Sequence, residues 1–216
     1  MERTGTLAFV LLSSLLAAPA LAQSSGVSIG TANVEGLVVG QRFSLDAAFS
    51  QEHDKEIPAP FEFVAPTSGD HRNYVAPATG FGIIKAFFLT PDERIMSNIQ
   101  FMPYVVDQGE LEERLDWSRP VLKQIFEMHV PEGAQSVVDG VRATEVGPYP
   151  AIEAIGRFDS GDDGTLVIRV VAIPNPSSEH GMAAVILANV NVLEISEVSE
   201  VYNTIASKAL STFRYQ

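Results

Sequence analysis

The chain has 216 residues, with 14 Lys and Arg against 27 Asp and Glu, and no cysteine. Its formal charge of −13 argues against nucleic acid and anionic membrane surfaces, which need clustered cations. At 46 % apolar and 19 % charged residues it is too hydrophobic to stay disordered, and the absence of cysteine excludes disulfides, thiolate metal sites, thiol catalysis and a lipidated cysteine.

The first element in chain order is a leader. Met1 to Gly5 holds a single Arg3, and Thr6 to Leu16 is an apolar run broken only by Ser13 and Ser14. Ala20-Leu21-Ala22 then forms a small-x-small cleavage site before Gln23. This is the pattern of a secretory signal peptide, and the apolar run is shorter than the roughly 20 residues a membrane span requires. Residues 1–22 are therefore read as a signal peptide cut between Ala22 and Gln23. The remaining chain keeps a charge of −13, because the leader holds one Arg and one Glu. No second long apolar stretch follows, so no stable membrane anchor is expected after cleavage. A cysteine-free exported chain suits a bacterial periplasm.

Residues 23–57 read as a flexible lead with a short strand around Leu37-Val38-Val39, and residues 58–216 as a single domain. Phe61 and Phe63 alternate with Glu62, the period of a strand, and Ala65-Pro66-Thr67-Ser68-Gly69-Asp70 stops the run. Asn73 to Ala76 is a further short strand. Ile83, Ile84, Ala86, Phe87 and Phe88 form a nearly continuous apolar run, as expected of a strand covered on both faces. A turn at Thr90-Pro91-Asp92-Glu93 leads to a strand holding Ile99, Phe101 and Tyr104-Val105-Val106.

The period then changes. Leu111, Leu115, Leu122, Ile125, Phe126 and His129 share one helical stripe. Pro120 interrupts it, so the expected helix starts with Ser118 as N-cap and runs to about Met128. Four strands are expected next, at 136–144, 151–158, 165–173 and 182–193. The third carries Leu166, Ile168, Val170 and Ala172 on one face, with Val167 and Val171 beside Arg169 on the other. Last comes an amphipathic helix through Val198, Val201, Tyr202, Ile205, Ala209 and Phe213, with Ser196 as N-cap and Glu197 and Glu200 at its positive end. The expected class is α+β: an antiparallel β-sheet covered by two main helices.

This order of elements over residues 58–215 resembles the PsbP/DcrB-like family of exported or partner-binding α/β sandwiches. The resemblance is also carried by Phe61-Glu62-Phe63-Val64-Ala65-Pro66 and by the ending Ser211-Thr212-Phe213-Arg214-Tyr215. Where family members often have a tryptophan after that proline, this chain has Thr67-Ser68-Gly69. The resemblance implies an accessory binding module more than a catalyst, and it carries over no residue-level site.

The residues themselves offer no assembled chemistry. Asp159-Ser160-Gly161-Asp162-Asp163-Gly164 fails the calcium-loop pattern, because Gly161 and Val170 stand where oxygen ligands belong, and it reads as a hairpin turn. His53, His71, His129 and His180 show no i, i+4 pairing and no HExxH, and His129 reads as a core or capping residue. There is no Gly-x-Ser-x-Gly, no Walker loop and no Gly-x-Gly-x-x-Gly. Glu112-Glu113 reads as a solvated helix face, and Trp117 as packing under a loop. No catalytic, cofactor-binding or metal-binding residue is assigned, and no cofactor.

Three functions compete. The first is a soluble periplasmic or secreted protein that binds another exported protein or peptide without turnover, a basic partner being favoured by the negative charge. The second is a hydrolase whose site forms where loops 65–80 and 174–181 bring His71 and His180 to one sheet end. The third is a carrier of a small apolar ligand held between sheet and helices. Expression of the full chain in a bacterial host with an export pathway, followed by N-terminal sequencing of the soluble product, is expected to return Gln23 as the first residue. A product that starts at Met1 would remove the leader reading.

Overall fold

The computed structural model describes residues 27–30, 39–67, 71–106, 109–161 and 164–216. The leader, its cleavage site at Ala22 and Gln23, and residues Leu37 and Val38 of the expected first strand lie outside them. Among the described residues, eleven strands and four α-helices follow in chain order. They are β1 (Val27–Gly30), β2 (Val39–Leu45), α1 (Ala47–His53), β3 (Phe61–Thr67), β4 (Arg72–Pro77), β5 (Ile84–Leu89) and β6 (Ile95–Val105). Then come α2 (Leu111–His129), β7 (Ser136–Val146), β8 (Tyr149–Asp159), β9 (Thr165–Pro174), β10 (His180–Asn189), α3 (Val190–Leu193), α4 (Ile205–Ser211) and β11 (Arg214–Tyr215). A 3₁₀ helix at Val198–Asn203 precedes α4.

The strands form two antiparallel sheets. A seven-stranded sheet has the order β4-β5-β6-β10-β9-β8-β7, and a four-stranded sheet the order β1-β2-β3-β11. The α+β sandwich expected from the sequence is what the chain adopts. The two-residue turn Gly147-Pro148 joins β7 to β8, and Gly147 takes a φ of +57°, where a side chain would be strained.

The phenylalanine alternation in β3 explains how the two sheets meet. Phe61 and Phe63 point from β3 onto Phe101 of β6, with ring centroids 5.0 and 4.9 Å apart, and Phe213 closes the cluster 5.2 Å from Phe61. All four are fully buried. Aromatic contacts of this kind add to a burial term of about 1.5–3 kcal/mol for each such side chain. Residues 39–53, assigned by the sequence to the lead, form β2 and α1 and place Phe43, Leu45 and Phe49 in this same core. Asp46 caps α1 through its carboxylate to the Ala48 and Phe49 amides.

The far face of the large sheet carries α2. Leu122, Ile125 and Phe126 pack on Ile152, Ala154 and Phe158 of β8 and on Ile168, Val170 and Ala172 of β9. Gly156 of β8 lets the helix come close, since a Cβ there would stand 2.9 Å from the Phe126 ring and 2.3 Å from the Val137 carbonyl oxygen. The helix does not start at Ser118. It spans 19 residues with Pro120 inside it, and the Ser118 hydroxyl donates to the Arg114 carbonyl at 2.8 Å and meets the Tyr104 hydroxyl at 3.1 Å. Ser118 is thus a buried mid-helix side chain rather than a cap. Trp117 does not pack under a loop either; it is 58 % exposed on the outer side of α2.

The last helical stripe is also divided. Thr204 takes an extended ψ of 155°, ends the 3₁₀ helix and caps α4 through its hydroxyl to the Ser207 amide. The cap before Val198 is Glu197 in a reciprocal capping box with Glu200, not Ser196. The expected strand at 182–193 stops at Asn189, whose side chain caps α3 through the Asn191 and Val192 amides. The C-terminal Tyr215 amide donates to the Tyr149 hydroxyl at 3.0 Å, and its own hydroxyl bridges the Met182 amide and the Ile173 carbonyl.

One buried charge cluster fixes this second layer on the sheet. Glu153 of β8 is 1 % exposed. It accepts from Arg169 of β9 and from Arg142 of β7, both at 2.8 Å, and from the Tyr202 hydroxyl of the 3₁₀ helix. Arg169 lies under the Tyr202 ring at 4.5 Å and donates to Ser207 of α4. Burial alone would raise the Glu153 pKa, but the charge of Arg169 and the bonds from Tyr202, Arg142 and Arg169 outweigh it and hold the carboxyl below the usual range. Because the folded value is depressed, this stabilisation is complete above an ordinary carboxylate pKa of about 4.3 and is lost as pH falls through the lower folded value. Glu153→Ala leaves Arg169 buried without its partner and is expected to cost about 3–5 kcal/mol in urea unfolding at pH 7. The deficit should shrink as pH falls below about 4.3, first because the unfolded chain takes up the proton and finally as the folded carboxylate titrates at its lower value. A loss under about 1 kcal/mol at pH 7 would mean that the cluster does not hold the layer.

Candidate functional site

On its α2-bearing face the seven-stranded sheet is wider than its cover. Six spacings of about 4.8 Å give it a width of roughly 29 Å, whereas a helix with its side chains is about 10–12 Å across. Helix α2 sits on β8 and β9. One flank towards β7 and one towards β5 and β4 stay open, and each holds a cavity.

The β7 flank is a groove of about 410 Å³, lined by Arg119, Lys123 and Phe126 of α2, Val138 and Val141 of β7, and Ala154 of β8. The pairing of β7 with β8 skips a residue between Val138 and Gly140, which sets Val138 and Val141 on the same face as Ala154 and Gly156. Val138 is 54 % and Val141 46 % exposed. The two cations on the groove wall are balanced along their own helix, Arg119 by Asp116 at 3.0 Å and Lys123 by Glu127 at 3.8 Å.

Strand β7 also ends the sheet. Among the described residues only β8 pairs with it, so alternate N–H and C=O groups along 11 residues face outward. Ser136–Val146 contains no proline and no lysine, the residues that most often guard an edge. Beyond the bulge, Gly140 to Val146 runs in regular register. The opposite edge, β4, is shorter at six residues, carries Arg72 and ends on Pro77.

The β5 flank is a cavity of about 250 Å³ beside the C-terminal end of α2, lined among others by Lys85, Phe87, Asn98, His129 and Leu187. The apolar run at 83–89 is not covered on both faces as the sequence suggested. Ile84, Ala86 and Phe88 are buried against the small sheet's layer, while Lys85, Phe87 and Leu89 are half-exposed. Burial lowers the Lys85 pKa. His129 donates Nδ1–H to the Ile125 carbonyl at 2.8 Å, as a capping residue would. Burial lowers its pKa, and the neighbouring Lys85 charge adds to the shift, against the raising effect of the Ile125 bond.

The remaining histidines are apart from both cavities and from each other. His71 precedes Arg72, which pairs with Leu89 and through it with Ile95 at the start of β6; His180 pairs with Val105 at the end of β6. Ten residue steps of about 3.4 Å separate those ends, so the expected meeting of His71 and His180 at one sheet end does not occur. His71 bonds the Pro66 carbonyl, and the His53 ring lies tilted against Phe49 with centroids 4.4 Å apart. Among the described residues no three His, Asp or Glu side chains form a group able to hold a metal ion. The Asp159–Gly164 segment turns β8 into β9, with the Asp159 carboxylate on the Gly161 amide at 2.9 Å and the Ser160 amide on the Gly164 carbonyl.

Neither flank was singled out in the sequence. The only signals were lone charges inside apolar strand runs, Lys85 and Glu153, and a strand at 136–144 whose Asp139 and Arg142 break any clean alternation.

No family model matches the chain, and no curated protein matches it. Solved structures do. Cyanobacterial PsbP (CyanoP) from Synechocystis sp. PCC 6803 aligns with a TM-score of 0.51 at 13 % identity, over 87 % of this chain and 98 % of that one. LpqN of Mycobacterium tuberculosis, described as involved in cell envelope biogenesis, aligns with a TM-score of 0.46 at 13 % identity, over 82 % of this chain and 91 % of that one. The Ran-binding protein Mog1p of Saccharomyces cerevisiae aligns with a TM-score of 0.43 at 11 % identity, over 87 % and 96 %. At such identities the likeness is one of fold. The chain has a PsbP-like α/β sandwich fold, as the order of its elements suggested.

Proposed function

We propose that this is an exported, non-catalytic binding protein that takes an extended segment of another exported protein as an added strand along β7. The observation that carries this reading is an 11-residue edge strand with open backbone groups, flanked by a groove whose floor is formed by half-exposed valines. An added strand would satisfy the outward N–H and C=O groups of Gly140 to Val146, and its alternate side chains would fill the groove over Val138 and Val141. Main-chain bonds supply affinity in such complexes, and pockets supply selectivity.

The chemistry of the partner follows from charge. The groove cations are neutralised on α2, Asp139 and Glu145 lie along β7, and the whole chain carries −13. A segment with apolar residues at every second position and basic residues between them fits best, and its encounter rate would fall with added salt. Export rests on the leader pattern of residues 1–22, with the periplasm or the exterior as destination. The hydrolase reading loses its geometric basis with His71 and His180 at opposite ends of the sheet.

The test compares affinity capture from the periplasm by the wild type and by the double variant Val138→Lys, Val141→Lys. Both positions are about half exposed, so stability should change by no more than about 0.5 kcal/mol per site. A specific exported partner should be recovered by the wild type and lost by the variant, and a synthetic peptide of its contacting segment should bind the variant at least tenfold more weakly. Equal recovery by both proteins, or no specific partner in repeated captures, would overturn the reading.

A further inference from the structure

We propose that the cavity on the β5 flank binds a small amphipathic carboxylic acid, its carboxylate on Lys85 and its apolar body along Phe87, Leu166 and Leu187. This inference does not rest on the β7 edge, since the two cavities lie on opposite sides of α2.

Three observations support it. The first is an uncompensated cation. The chain has almost two acids for each base, yet among the described residues no carboxylate lies within 4 Å of the Lys85 ammonium. Among the described residues its close partner is the Phe87 ring, two residues along the same strand, at 4.8 Å from the centroid. A half-buried ammonium with only an aromatic neighbour gains strongly from a desolvated counter-charge.

The second is unused hydrogen-bonding capacity. Asn98 is 7 % exposed and stands between Phe87 and Leu187 in the cross-strand row, where it lines the cavity. No hydrogen bond joins its side chain to another described residue, and its carboxamide opens on the cavity rather than being sealed in the core. His129 donates Nδ1–H to the Ile125 carbonyl, so its neutral ring offers only the Nε2 lone pair to the cavity. The donors around the space are the Lys85 ammonium and the Asn98 carboxamide N–H₂, one for each carboxylate oxygen.

The third is the apolar remainder. Phe158, Leu166 and Leu187 extend the apolar wall beyond the Phe87 ring, and Tyr74 continues it on the other side, 6.3 Å from Phe87. At about 250 Å³ the space is slightly smaller than a pocket for a drug-sized ligand, so it suits a short acid rather than a long lipid chain. One ammonium, with no guanidinium and no run of backbone N–H groups beside it, matches a single negative charge and not a phosphate.

Octanoate, octanol and octyl phosphate serve as probes, titrated by calorimetry into the wild type, Lys85→Met and Lys85→Arg, with amide NMR shifts mapping the site. Octanoate is expected to shift amides of β5, β6 and the end of α2 and to bind at least tenfold more tightly than octanol. Lys85→Met should remove that preference while its thermal unfolding stays within a few degrees of the wild type, and Lys85→Arg should retain it. Equal binding of octanoate and octanol, octanoate affinity unchanged in Lys85→Met, tighter binding of octyl phosphate, or shifts confined to other elements would each overturn the proposal. So would no octanoate binding at millimolar concentration.

Discussion

One helix cannot cover seven strands. That mismatch of widths governs everything this molecule presents to solvent on one side. The opposite side of the large sheet has no such problem, because the small sheet, α4 and the 3₁₀ helix together span it and bury Phe61, Phe63, Phe101 and Phe213 between the layers. On the α2 side the helix takes β8 and β9, and Ile168, Val170 and Ala172 of β9 are fully buried beneath it. The flanks are left with side chains that belong neither to a core nor to an ordinary charged surface. Val138 and Val141 on one flank, and Lys85, Phe87 and Asn98 on the other, are the outcome.

The well-covered side makes the open side affordable in structural terms. Its apolar cluster is continuous from β2 to β11, and the carboxylate of Glu153 ties three segments of chain to one point: β7 through Arg142, β9 through Arg169 and the 3₁₀ helix through Tyr202. Through Arg142 the cluster also anchors the very strand whose outer edge is free. Strand β7 is thus held in place without a second neighbour, as an acceptor for an added strand must be. A frayed edge would have to order itself during binding and lose affinity in doing so.

Much of the architecture was legible in the sequence, and the failures have definite causes. Alternation at Phe61 and Phe63, the turn residues at 90–93 and 159–164, and the two-faced pattern of β9 read correctly because strand period and turn chemistry are local properties. The stripe from Val198 to Phe213 looked like one helix because periodicity reports which side chains are buried, not whether the hydrogen-bond ladder is unbroken. Val201, Ala209 and Phe213 all enter the core, yet the backbone opens at Thr204 between them. Pro120 works in the other direction: its residue type favours a helix start, whereas Ser118, Tyr104 and Arg114 hold the helical turn around it. The candidate sites were hardest to foresee. Lys85 sits in an apolar run that any pattern assigns to a buried strand, and its exposure depends on where α2 ends, a tertiary fact. The β7 edge likewise exists only because strand order places β7 last.

Both functional proposals need the flanks of α2 to be bare in the folded chain itself. Carbene footprinting of the purified protein, with labelled positions assigned by mass spectrometry, tests this most directly. Heavy labelling of Val138, Val141, Tyr74 and Phe87, alongside protection of Ile168 and Val170, is the result this account predicts. Protection of Val138, Val141 and Phe87 to the level of Ile168 would show that the chain covers its own flanks, and would contradict it.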